Sequence, residues 1–233
     1  LQADLAPAVR AELVAPVGDA WIFDAADDPN ALPDDVGAYR FVHDRILQAA
    51  YGSMDADASR DAHQRLGQLI AERHQGDSDG PWLFEVVNHL NRAADLLVSS
   101  DARVALARRN LDAGRCAMRA AAFVPAAEYF EAGIALLPGD AWSAHYELAL
   151  ALHADAAECA YVNARFDVLS TRVAAVRAYA RTLLDRIKAL EIDMEGRMAR
   201  DDLKGAVALA LRVAAEGVVL LAERSHTLAR GMM

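Results

Sequence analysis

Residues 110–142 read NLDAGRCAMRAAAFVPAAEYFEAGIALLPGDAW, and their spacing decides the fold. Gly114 falls in the middle of a run of strong helix formers. Ala126, Phe130 and Gly133 then recur at helical intervals, and Pro138-Gly139-Asp140 stops the run before Trp142. Pro125 suits the first turn of a second helix, where its missing N–H costs nothing. The stretch therefore predicts a helix-turn-helix with small residues at the contact. One such pair cannot bury its apolar face alone, so neighbours must stack, and small residues such as Ala127 and Ala160 let them approach.

Working outward, two further turns have the same character: Ala160-Tyr161-Val162-Asn163-Ala164-Arg165-Phe166, and Met198-Ala199-Arg200-Asp201-Asp202-Leu203 followed by Ala206. Their turn residues Phe123, Phe166 and Leu203 stand 43 and 37 residues apart. The small, aromatic, small, Pro order is that of the tetratricopeptide helix-turn-helix. Both gaps exceed its period of about 34, which predicts an irregular array of longer helices. Helices are expected over His43–Met54, Ala58–His74, Trp82–Leu97, Asp101–Ala122 (Asp101 as N-cap), Pro125–Leu137, Trp142–Asn163, Phe166–Asp185, Ile187–Ala199 and Leu203–Ala222, with a loop at Gly76–Pro81. Strand signals are confined to Trp21–Phe23 and Tyr39–Val42, behind a helix over Leu1–Ala15 ended by Pro16 and Gly18. Helix, strand, long loop, strand, helix is the order expected at the end of a winged-helix module. The expected architecture is all-α: a right-handed stack of antiparallel helix pairs, with a winged-helix-like remnant over 1–42, connecting helices over 43–100 and repeats over 101–233.

Composition narrows the function classes. The chain has 233 residues, 34 acidic and 24 basic, for a net charge of −10. Such a balance argues against sequence-independent nucleic-acid binding, which rests on clustered Lys and Arg. The longest uncharged run is Ile46–Met54, far short of the about 20 apolar residues a membrane-spanning helix needs. The opening Leu1 is followed by no charged-then-apolar leader, so no secretory signal is expected, and the absent initiator Met points to a piece of something longer. Cys116 and Cys159 form neither a disulfide framework nor a zinc pattern, which fits a reducing cytoplasm. No phosphate-binding loop precedes Lys188 or Lys204, and no Gly-x-Ser-x-Gly elbow occurs. No cofactor and no resident metal are expected.

Several residue groups invite chemistry. His145 and His153 lie eight apart on one helix with Glu158 beyond. A metal or hydrolytic site there is the alternative reading, although helix-borne zinc sites favour His pairs four apart; packing beside Trp142 and Tyr146 is the preferred one. Asn88-His89-Leu90-Asn91 interrupts an apolar helix and is expected to be a satisfied interhelical network. His43-Asp44-Arg45 opens a helix with no nucleophile in sequence to serve, so capping is preferred there. Five aspartates over Asp24–Asp35 lack the tighter calcium-loop spacing.

Longer stretches carry a family resemblance. Tyr39-Arg40-Phe41-Val42-His43-Asp44-Arg45-Ile46-Leu47-Gln48-Ala49-Ala50-Tyr51 resembles the "YRFxHDRIxQAAY" segment of large bacterial signalling ATPases of the STAND class. His63–Ile70, Leu83–Asn91, Ala113–Phe130 and Leu137–Trp142 resemble further blocks of that family in order. The resemblance implies the end of a winged-helix module followed by tetratricopeptide-like helices. It also implies a preceding nucleotide-binding domain and, often, Ser/Thr kinase-like and sensor histidine kinase domains at the two ends. The ATP-binding and phosphotransfer residues of the family lie outside this chain. The expected function is a non-catalytic scaffold that binds a peptide segment or a neighbouring domain, with no nucleic-acid or membrane partner. Its groove would be lined by Arg108, Arg115, Arg119, His145 and Arg186, since Arg offers a planar fork of donors to acidic groups.

Overall fold

In the computed structural model, which describes residues 2–17, 39–74, 80 and 82–231, three turns of one kind join six helices in pairs. The pairs are α5 (Ser100–Arg119) with α6 (Phe123–Leu136), α8 (Tyr146–Val162) with α9 (Phe166–Tyr179), and α10 (Leu183–Ala199) with α11 (Leu203–Gly231). Each turn places one residue in the left-handed region: Ala121, Ala164 and Asp201, at φ 56°, 55° and 61°. In each, the next N–H reaches back five residues, Ala122 to Ala117, Arg165 to Ala160 and Asp202 to Arg197. This is the Schellman closure, which satisfies carbonyls the helix end would otherwise orphan. The left-handed residues stand 43 and 37 apart, the interval between the turn residues in the sequence.

Before the pairs come α1 (Gln2–Arg10), β1 (Val14–Pro16), β2 (Tyr39–Phe41), α2 (Asp44–Ser53), α3 (Ala56–Arg73), α4 (Trp82–Arg92) and a 3-10 turn at Ala94–Leu96; α7 (Ala141–Ala144) precedes α8. The chain divides into two compact units, Leu1–Asp61 and Ala62–Met233, a coarser partition than the three segments the sequence suggests. In the first, β1 pairs antiparallel with β2, Val14 opposite Phe41. The helix expected through Ala15 stops at Arg10 because Val14 and Ala15 enter this ladder. The expected strand Trp21–Phe23 and the aspartate loop Asp24–Asp35 lie outside the described residues. The architecture is all-α apart from this short ladder.

In the second unit α5 packs on α6, α8 on both of them, and α10 on α8 and α9. Close approach comes from glycine. A Cβ on Gly114 would collide with the ring of Phe130, which is fully buried. A Cβ on Gly133 would stand 2.7 Å from Leu152 Cδ2, and one on Gly196 2.5 Å from Leu169 Cδ2. These three glycines set the helix spacing within the first pair, from α6 to α8, and from α9 to α10.

Two expected helices are cut short by tertiary contacts. Trp142–Asn163 breaks at His145 (φ −130°, ψ 45°), which separates α7 from α8. The break lets Trp142 stack on Tyr179 with centroids 5.2 Å apart and pack at 5.2 Å on His153. Phe166–Asp185 ends at Tyr179. The Arg181 N–H donates to Tyr146 Oη at 2.8 Å, and Thr182 caps α10 in a reciprocal box with Asp185.

This packing makes two predictions. Gly114→Ala over-packs the Phe130 contact and costs about 1–3 kcal/mol in urea unfolding, whereas Ala164→Gly relieves left-handed strain and gains about 1 kcal/mol. The second concerns His153, which is 7% exposed and whose Nδ1 has no hydrogen-bond partner among the described residues. Burial, reinforced by the charge of Arg172, pushes its pKa down to about 4. Between pH 6.5 and 4 the unfolded chain then binds a proton that the folded one refuses. Stability due to this group is full above pH 6.5 and falls as pH drops toward 4, by about 2–3 kcal/mol near pH 4.5. Urea unfolding at pH 7.5 and 4.5 checks this: the stability difference between wild type and His153→Leu shifts toward the variant by that amount.

Candidate functional site: the face of α5, α8 and α10

Within α8 most residues from Leu148 to Ala160 are buried, and Asp155 stands in the middle of that run. A buried carboxylate without partners costs several kcal/mol, so α8 needs cations from its neighbours. It receives two. Arg115 on α5 donates Nε to Asp155 Oδ2 at 2.7 Å, and Lys188 on α10 donates Nζ to Oδ1 at 2.8 Å. Lys188 also meets Glu158 at 2.8 Å. Burial works against the Lys188 charge, but hydrogen bonds to the two carboxylates outweigh it and hold its pKa above the ordinary lysine value. The result is a transverse ladder, Arg115, Asp155, Lys188, Glu158, across three helices side by side.

The expected groove residues distribute unevenly about this ladder. Arg115 is its α5 end. Arg108 and Arg119, one turn or two away on the same helix, are exposed. Among the described residues Arg119 hydrogen-bonds only the Cys116 sulfur, at 2.9 Å, and Arg108 has no partner. His145 is half-buried at the break between α7 and α8 rather than on the row of first helices. Arg186 does not join the groove either: it pairs with Glu216 of α11 at 3.4 Å and with the Thr182 carbonyl. The face that the sequence assigned five residues thus keeps the three arginines of α5. It gains Asp155 and Lys188, which sequence reasoning passed over. A lone Asp inside an apolar helical run is the signal that could have found them, because it demands a partner from elsewhere.

The metal alternative gains no geometry. His153 packs on Trp142, Glu158 faces Lys188, and among the described residues no three His, Cys, Asp or Glu groups gather to hold an ion. Burial, with Glu158 and Asp155 beside it, pushes the Cys159 thiol up to about 12 and leaves it protonated. The polar tetrad of α4 is satisfied. Asn91 exchanges two 2.8 Å hydrogen bonds with the buried Asn110, Asn88 accepts from Tyr129 Oη at 3.1 Å, and His89 Nδ1 lies 2.7 Å from His63 Nδ1. Burial lowers the pKa of both histidines. On the outer layer Arg172 of α9 grips Glu131 of α6 with Nε at 2.9 Å and a second donor. Among the described residues, no helix is long and apolar enough to cross a membrane.

Comparison with known proteins finds a partial similarity. Over 134 residues the chain is 26% identical to "Hybrid signal transduction histidine kinase G" of Dictyostelium discoideum, an alignment covering 47% of this chain and 4% of that protein. The chain therefore spans a small fraction of the length of the relative it matches. No family model matches it. No solved structure matches it.

Proposed function

We propose that this chain is the helical interaction region of a multidomain signalling protein, where it holds an acidic peptide segment or a neighbouring domain and relays signal without doing chemistry itself. The carrying observation is the α5 edge of the site. Arg108 and Arg119 are exposed cations with no carboxylate partner among the described residues, and they flank Arg115, which Asp155 anchors. Anchoring fixes the middle guanidinium, so an acidic partner meets a partly organised row rather than three free side chains. The similarity to a signal transduction histidine kinase supports the signalling context, and the STAND-type blocks from Tyr39 onward support a place between a nucleotide-binding domain and an output domain. The α1, β1, β2, α2 order fits the closing segment of a winged-helix module in that arrangement.

The test uses the full-length protein carrying Arg108→Glu and Arg119→Glu together, which leaves Arg115 on Asp155. Association of this region with its flanking domains, read by cross-linking, is expected to weaken roughly ten-fold or more, signalling output to fall with it, and thermal unfolding to stay within a degree or two of wild type. Unchanged association and output reject the proposal. Stoichiometric bound zinc, or a hydrolytic turnover lost in His153→Ala, would instead establish the metal-site reading.

A further inference from the structure

The three hairpins share one register, and among the described residues the third lacks a cover that the first two have. Counting from the left-handed turn residue, the fifth, ninth and twelfth positions of the second helix are Ala126, Phe130 and Gly133 in α6, and Leu169, Val173 and Val176 in α9. All six are buried. Two of them meet the following hairpin directly: Gly133 lies against Leu152 of α8, and Leu169 against Gly196 of α10, while Phe130 also meets Gly114 of its own pair. In α11 the same positions are Ala206, Ala210 and Val213. Ala206 is buried, but Ala210 is exposed and Val213 half-exposed. Val207, Leu211 and Val218 along the same helix are 59%, 66% and 66% exposed. An open groove of about 460 Å³ runs between Met194, Glu195 and Met198 of α10 and Ala206, Val207 and Ala210 of α11.

Charge follows the same register. Six residues before the turn stand Arg115 in α5, Glu158 in α8 and Glu195 in α10. The first two each ion-pair with the first helix of the next hairpin, Arg115 with Asp155 and Glu158 with Lys188. Glu195 is exposed, and no cation pairs with it among the described residues. Glu191, one turn earlier on the groove wall, is likewise an exposed carboxylate without a partner among the described residues.

We infer that the α10–α11 groove is a docking site for an amphipathic helix from a partner. That helix lies as a further first helix would, with small apolar residues against Ala206, Ala210 and Val213 and a Lys or Arg on Glu195. The occupant is specified by continuity with the α8–α9–α10 interface, where Lys188 reaches Glu158 in the same way, and by the two open carboxylates. This surface is separate from the arginine row of the proposed function, and neither depends on the other.

The probe is a synthetic capped peptide of residues 183–199, the helix that supplies the cover for the preceding hairpin, titrated onto the whole chain. Binding is expected for wild type, weakened at least ten-fold by Glu195→Lys and by Val207→Glu, both on solvent-facing positions. The charge-swapped peptide, carrying Lys188→Glu, is expected to recover binding to the Glu195→Lys chain and not to wild type. Circular dichroism confirms that the variants stay folded. No binding at millimolar peptide, or equal affinity for wild type and Glu195→Lys, overturns the inference. So does a wild-type dimer that Val207→Glu dissociates, because a second copy would then be the occupant.

Discussion

Asp155 needs two cations, and meeting that need fixes the order of the helices around it. A carboxylate with a side chain only 7% exposed is costly to bury without charged donors on it. Arg115 and Lys188 come from helices on opposite sides of α8, so satisfying Asp155 forces α5, α8 and α10 into one row. The ion pairs add modestly to net stability, since both cations are half exposed and screened. Their effect is on register. Sliding α10 along α8 by one turn would take Lys188 off Asp155.

Packing supplies the energy that the ion ladder does not. Phe130, Leu152 and Leu169 are fully buried, and each sits where a glycine or a small residue on the facing helix makes room. Burial of such side chains contributes about 1.5–3 kcal/mol apiece. Short turns closed by backbone hydrogen bonds hold each pair antiparallel. Two of the turns use Ala in a left-handed conformation that glycine would adopt more cheaply.

The same burial mutes side chains that attract attention in the sequence. His153 is held neutral and Cys159 protonated by their surroundings. What remains reactive toward a partner is charge at the surface: arginines at the α5 edge, carboxylates at the α10 edge. The two proposed surfaces thus carry opposite sign.

The local signals in the sequence located most of the helices. Helix formers, Pro125, Pro138-Gly139 and the 43- and 37-residue intervals act through neighbours in the chain, and the turns at Ala121, Ala164 and Asp201 fall where those intervals put them. The Asn88–Asn91 tetrad was legible for the same reason, as a polar group inside an apolar helix, but its partner Asn110 was not. Tertiary structure alone decided the rest. The break at His145, the end of α9 at Tyr179 and the early stop of α1 depend on Trp142 meeting Tyr179, Tyr146 meeting Arg181, and Val14 pairing with Phe41. The diversion of Arg186 to Glu216 and the union of Arg115, Asp155 and Lys188 depend on partners 30 and 40 or 33 residues away. Helix periodicity says which face a residue occupies but not which helix will face it. Stacking of the pairs makes that choice, and a buried charge then pins it.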